Sequence, residues 1–251
     1  MALKSVIGNW ILVGAVAIAF FFLPKLLKSE KETETDASGT EEASTDQQAP
    51  LIEGPLEIRL PDIDVAQDPP APETDLPFPD TLSICALMSV SHAPNTNEGL
   101  EITGYRQFIS VNGVNVAMAP IEKGCFSSGF GLRGERIHKG VDFHHRNAVE
   151  IYAAADGVVR EKEYRDDYGN MIVLEHESGV FTRYAHLERF SAGIAIGDEL
   201  SVGAPLGIMG NTASYRIPRH LHYEVLVGEW TQPAGSFALT PFNLFARLSE
   251  N

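Results

Sequence analysis

From Thr81 onward the chain is written in short apolar runs closed by turn signals, with no long helical period between them. The clearest unit is Phe108-Ile109-Ser110-Val111, then Asn112-Gly113, then Val114-Asn115-Val116-Ala117-Met118. Asn-Gly between alternating segments selects a tight hairpin, because both central residues of that turn need positive φ. Further strands are expected at residues 140–143, 158–164, 171–175, 181–185, 205–209 and 220–227, with Gly-containing turns between several of them. Short strands at this spacing predict an all-β or β-rich domain of antiparallel sheets. The chain carries no Rossmann or P-loop glycine pattern and no internal repeat.

Ahead of that region the composition changes. The chain of 251 residues has a formal net charge of −15, but 15 of its 34 acidic residues and 2 of its 19 basic ones fall in residues 29–80. The remainder is close to neutral, and the overall sign argues against nonspecific nucleic-acid binding. Residues 29–80 are Glu/Asp/Thr/Ser-rich and then Pro-rich, as in Asp68-Pro69-Pro70-Ala71-Pro72. Such a stretch cannot bury enough apolar surface to offset its chain entropy, so a disordered, semi-extended linker is expected. Residues 7–23 form an apolar run about one bilayer long, ended by Pro24 and followed by Lys25 and Lys28. Ala17-Ile18-Ala19 resembles a signal-peptide cleavage site, but three Phe and a Leu prolong the run beyond it. We read residues 1–28 as an uncleaved transmembrane signal anchor and the linker as a tether. Cys85 and Cys125 are too few for a disulfide scaffold or an all-thiolate zinc site. Outside the cytoplasm they can form one disulfide; two unpaired buried thiols is the other reading.

Three clusters carry chemistry. In His220-Leu221-His222-Tyr223-Glu224-Val225, strand alternation puts His220, His222 and Glu224 on one face and Leu221, Tyr223 and Val225 on the other. In Arg136-Ile137-His138-Lys139-Gly140-Val141-Asp142, His138 and Asp142 share a face, and Gly140 between them leaves room for an approaching group. Imidazole and carboxylate are good zinc ligands, and one histidine of the pair would complete three ligands with an open fourth position. In Tyr184-Ala185-His186-Leu187, His186 closes a strand before a turn. It and the remaining histidine of the pair could serve as acid and base.

Taken in order, Ser127-Ser128-Gly129-Phe130-Gly131-Leu132-Arg133, the His138 cluster, Ala153-Ala154-Ala155-Asp156-Gly157, Tyr168-Gly169-Asn170, the His186 cluster and the His220 cluster resemble the lysostaphin-type (LytM-like) zinc metallopeptidases. Members of that family cut peptidoglycan peptides. The resemblance implies antiparallel sheets forming an open groove, in the LytM-like or duplicated-hybrid-motif-like manner, over residues 126–247. Residues 81–125 then form an accessory β segment. It implies zinc (Zn2+) held by His138, Asp142 and His222, with His186 and His220 as the catalytic pair. The implied function is a membrane-tethered endopeptidase acting on peptidoglycan cross-links, anchored in the inner membrane with its catalytic domain in the periplasm. The alternative is a non-enzymatic activator of cell-wall amidases. His144 is in strand phase with Asp142 and so within possible reach of the metal, His176 reads as structural, and His92 and His145 fall outside the pattern. The family's Gly/Ser/Thr-rich loop is replaced by a segment with Tyr215, Arg216 and Arg219, placed at the groove mouth and able to meet carboxylates of an acidic peptide. Residues 81–125 could also cover the groove and hold the enzyme latent.

Overall fold

The computed structural model describes residues 75–249. The expected anchor and nearly all of the expected linker lie outside the described residues. Among the described residues no helix is long and apolar enough to cross a membrane.

The domain is β-rich. In chain order its strands are β1 (Phe108–Val111), β2 (Val114–Ala117), β3 (Cys125–Ser128), β4 (Gly131–Arg133), β5 (Arg136–His138), β6 (Val141–His144) and β7 (Glu150–Tyr152), then β8 (Gly157–Arg165), β9 (Gly169–Glu175), β10 (Val180–Phe190), β11 (Glu199–Leu200), β12 (Pro205–Met209), β13 (Leu221–Val227) and β14 (Thr240–Phe242). Ten of them form one sheet whose main path runs β11-β8-β9-β10-β13-β6-β3. Off that path β12 joins β10 to β7, and β14 flanks β13. The named strand pairs of this sheet are antiparallel. β1–β2 and β4–β5 are separate hairpins. The β1–β2 hairpin turns at Asn112 (φ 49°) and Gly113 (φ 82°), the positive pair that Asn-Gly was expected to supply.

β13 is central and buried along its whole length. Leu221, Tyr223 and Val225 enter the main hydrophobic cluster with Phe126, Phe143 and Ile151. On the opposite face Leu226 joins a smaller cluster with Met171, Val173 and Phe181. That second face therefore runs from His222 through Glu224 to an apolar end. Full burial of a Leu- or Val-sized side chain stabilises by roughly 1.5–3 kcal/mol, so both faces hold this strand in register.

Two sequence expectations need correction. β10 does not end at His186 but continues to Phe190. His186 sits in a bulge, with the register against β9 shifting between Tyr184 and Leu187. Nor does Gly140 make room for a ligand. A Cβ there would lie 2.3 Å from the Tyr223 carbonyl oxygen, so the missing side chain lets the turn before β6 press onto β13.

β3 ends the large sheet, and residues ahead of β1 cover its open edge. Ile84 bridges Phe126 and Ser91 bridges Ser128, both in parallel. Phe78, Leu82 and Ile102 share the main cluster, and Cys85 and Cys125 form a disulfide with Cα atoms 5.1 Å apart.

Candidate metal centre

His222 and Asp142 are register partners across β13 and β6, so neighbouring strands deliver two donors to one spot. His138, at the end of β5, delivers the third. His138 Nε2 lies 3.0 Å from Asp142 Oδ1 and 3.0 Å from His222 Nδ1, and His222 Nδ1 lies 2.9 Å from Asp142 Oδ1. A zinc ion about 2.0–2.1 Å from three atoms in a tetrahedral array would hold them roughly 3.3 Å apart. The observed triangle needs only slight expansion to accept one, and these three are the His/Cys/Asp/Glu group among the described residues whose donor atoms converge in this way.

The outer nitrogens decide which way each ring faces. His138 Nδ1 donates to the Gly129 carbonyl at 2.7 Å, leaving Nε2 as a lone pair. Arg133 Nη2 is 2.8 Å from the same nitrogen, but both are donors there; its acceptors are Asp142 Oδ2 at 3.0 Å and the Ser128 hydroxyl. His222 Nε2 donates to Glu224 Oε1 at 2.9 Å, which turns Nδ1 inward. Glu224 also accepts from the Tyr168 hydroxyl at 2.9 Å and from Arg183 Nη1 at 2.5 Å. Arg183 continues to Ser236 Oγ at 2.8 Å, and Ser236 donates to Glu161 at 2.6 Å. The Arg183 guanidinium lies against the rings of both Tyr168 and Phe237. Glu224 and Arg183 are 0% and 1% exposed, so this ion pair beneath the tripod is out of water.

The tripod calls for positive charge. Burial opposes ionisation of Asp142, yet the His138 and His222 rings beside it hold its carboxyl well below the usual range. Burial also opposes protonation of His222, but bonds to Asp142 and Glu224 outweigh it and lift the imidazole to about 9. Near neutral pH a proton on His222 Nδ1 thus stands between the three donor atoms, where a metal ion would displace it.

His220 and His186 face each other beside this group, with ring centroids 4.7 Å apart. His220 Nδ1 donates to the Pro218 carbonyl at 2.8 Å, and His186 Nδ1 donates to the Thr212 carbonyl at 2.8 Å. Both rings therefore keep Nε2 as an acceptor, and His220 Nε2 lies 4.0 Å from Asp142 Oδ1. Burial and the neighbouring His220 push His186 down to about 4, and burial lowers His220 too. His186 has φ 62°, unusual for a non-glycine, so the bulge re-aims it out of strand alternation.

An open groove of about 580 Å³ runs over these residues. Arg133, Arg136 and Lys139 line it on one side and Tyr215, Ile217 and Pro218 on another, and Met88 reaches it from the segment ahead of β1. Tyr215 is placed at the groove as expected, and Arg216 is exposed. Arg219 is not free for a substrate: its guanidinium bonds Glu188 Oε2 at 2.8 Å and the Met209 carbonyl, which pins the loop. His144 bonds the Arg219 carbonyl at 2.6 Å and is not among the converging donors. His176 is buried between the Asp156 carbonyl and Thr182 Oγ1, in keeping with a structural role. His145 contacts Asn147 in a loop. Sequence reasoning gave no role to Glu224, Arg183, Tyr168 or Arg133. One signal was available: an Arg in the otherwise apolar run Val-Phe-Thr-Arg-Tyr-Ala, facing Glu224 across β10 and β13.

Residues 136–233 match Peptidase family M23. The chain is 36% identical over 122 residues to the DD-carboxypeptidase/endopeptidase Mpg of Neisseria meningitidis, covering 46% of this chain and 27% of that protein. It is 33% identical over 147 residues to the peptidoglycan DD-endopeptidase ShyA of Vibrio cholerae, covering 52% of this chain and 34% of that protein. The matched part thus spans about a third or less of these relatives. A zinc containing peptidase from Vibrio cholerae is 26% identical with a TM-score of 0.44, covering 52% of this chain and 39% of that one.

Proposed function

Residues 136–233 belong to peptidase family M23, and on that premise we propose that the chain is a zinc-dependent endopeptidase cutting peptide cross-links of bacterial peptidoglycan. The observation that carries the reading is the tripod of His138, Asp142 and His222, with both imidazoles turned inward by bonds on their outer nitrogens. We further propose that the N-terminal run anchors the chain in the inner membrane and that the domain works in the periplasm. The Cys85–Cys125 disulfide supports an oxidising compartment. Relatives described as DD-endopeptidases support the substrate class. The scissile bond we propose belongs to a diaminopimelate-type cross-link.

Zinc in this position would supply Lewis-acid polarisation of the scissile carbonyl. The protein's own groups handle the protons. At neutral pH His220 and His186 are uncharged, with Nε2 free to accept. His220, whose Nε2 lies 4.0 Å from Asp142 Oδ1, takes the proton of the attacking water, and the pair returns it to the leaving amine. Arg133 on Asp142 Oδ2 keeps that carboxylate aimed at the tripod. An amidase activator would need none of this, and retention of all five residues favours the enzyme.

The test is digestion of purified cross-linked muropeptides with the full chain, followed by mass spectrometry. Monomers formed with zinc, lost on chelation and restored by adding zinc back, are the expected result. No product from protein carrying a full equivalent of zinc would overturn the enzyme reading in favour of the activator.

A further inference from the structure

Asp142 and His222 stand on neighbouring central strands of the large sheet. His138 does not. It ends β5, which pairs with β4 in a two-stranded hairpin outside that sheet. A metal site is only as well ordered as its least supported ligand. What holds this hairpin is therefore part of the site.

From within, Arg133 of β4 holds it to the Ser128 hydroxyl and Asp142 Oδ2; from outside, Ser91 and His92, from the segment ahead of β1, hold it. Ser91 bridges Ser128, and its carbonyl accepts from the Gly129 amide at 2.8 Å. His92 Nε2 donates to the Leu132 carbonyl in β4 at 2.7 Å. Its ring lies on Gly131, where a Cβ would come within 3.0 Å of the ring atoms, and its carbonyl oxygen would lie 2.2 Å from a Cβ on Gly129. The glycines of Ser127-Ser128-Gly129-Phe130-Gly131 thus admit the backbone and ring of this crossing segment. His92 has φ 50°, a left-handed conformation held by these contacts. Gly129 is also the residue whose carbonyl takes the His138 Nδ1 proton. Six residues earlier, the Cys85–Cys125 disulfide ties the same segment to β3.

We infer that Ser91-His92 is a positioning strap for the third metal ligand: it sets the Gly129 carbonyl and the β4–β5 hairpin, and through them the inward orientation of His138. The inference rests on the reading of the tripod as a zinc site. It gives the segment ahead of β1 a supporting role at the centre, in contrast to a cover whose removal would release activity. His92 is a positioning residue, not a catalytic one, since it acts through Gly129 and β4.

The test uses the full chain with His92→Ala and His92→Gln. Zinc affinity is measured by competition with a chromophoric chelator, alongside the thermal midpoint of the metal-free protein. His92→Ala is expected to weaken zinc binding about 10-fold, the lower end for loss of an outer-sphere partner. Because His92 is exposed, the metal-free midpoint should hold. His92→Gln keeps an N–H donor at similar reach and should stay within about 3-fold of the wild type. An unchanged dissociation constant in His92→Ala overturns the strap, as does an equal loss in both variants. Faster muropeptide cleavage by His92→Ala at unchanged zinc affinity overturns it in favour of a cover. Failure of the wild type to bind zinc would instead refute the zinc reading itself, and the strap with it.

Discussion

Asp142→Ala and His222→Ala should each purify without a full equivalent of zinc and lose about 10³-fold or more of cleavage rate, equal to roughly 4 kcal/mol of barrier. The reason is geometric. These residues face one another across β6 and β13, their donor atoms are 2.9 Å apart, and His138 Nε2 closes the triangle at 3.0 Å from each. Removing one leaves two donors, too few to fix the ion or its open position. His220→Ala should behave differently. It should keep zinc and lose about 10²–10⁴-fold in rate, because its proton-accepting Nε2 is lost while the triangle stays intact. His144→Ala should keep zinc as well, since its Nδ1 is held by the Arg219 carbonyl and it is not among the converging donors. Metal analysis and initial rates on the same preparations separate these classes. Zinc retained by His222→Ala at wild-type level would contradict the ligand assignment.

The second large effect falls on stability. Glu224→Ala is expected to destabilise the fold by about 3–5 kcal/mol, the usual cost of leaving a buried charge without its partner. Arg183 is 1% exposed, and Glu224 supplies its counter-charge through a 2.5 Å bond. Replacing both together, Glu224→Leu with Arg183→Met, should recover most of that loss, because an apolar pair can replace a buried ion pair at little net cost. It should not recover the metal site. His222 Nε2 would have lost its acceptor, leaving only the bond to Asp142 to hold Nδ1 inward, and zinc affinity should fall about 10–100-fold. Denaturant unfolding of the metal-free protein and chelator competition read the two effects separately. A double variant with wild-type zinc affinity would show that Glu224 serves the fold and not the ligand.

How much of this could be read from the sequence depends on whether a feature is local. The alternation through Leu221, Tyr223 and Val225 names the core face of β13, and Asn112-Gly113 names a hairpin, because each signal lies within a few residues of its consequence. The motif order was specific enough to point to the family before any fold was known. The bulge at His186 was not legible, since it arises where β9 and β12 stop matching β10. Nothing in Arg219 itself says that Glu188 and the Met209 carbonyl will take its guanidinium. Gly140 was read as space for a ligand, while it is the backbone of β13 that fills the gap. His92 is unremarkable in the sequence because its partners, within Gly129 to Leu132, lie about 40 residues away and meet it through a backbone carbonyl and glycines, which carry no side-chain signal.

The most direct measurement of the central claim is a calorimetric zinc titration of the metal-free full chain at pH 7, run in buffers of different protonation enthalpy. One ion per chain should bind, with about one proton released, because His222 is lifted to about 9 and carries a proton where the ion must sit. Asp142→Ala should abolish that saturable step. Absence of the step in the wild type, or its persistence in Asp142→Ala, would contradict the assignment of His138, Asp142 and His222 as the metal centre.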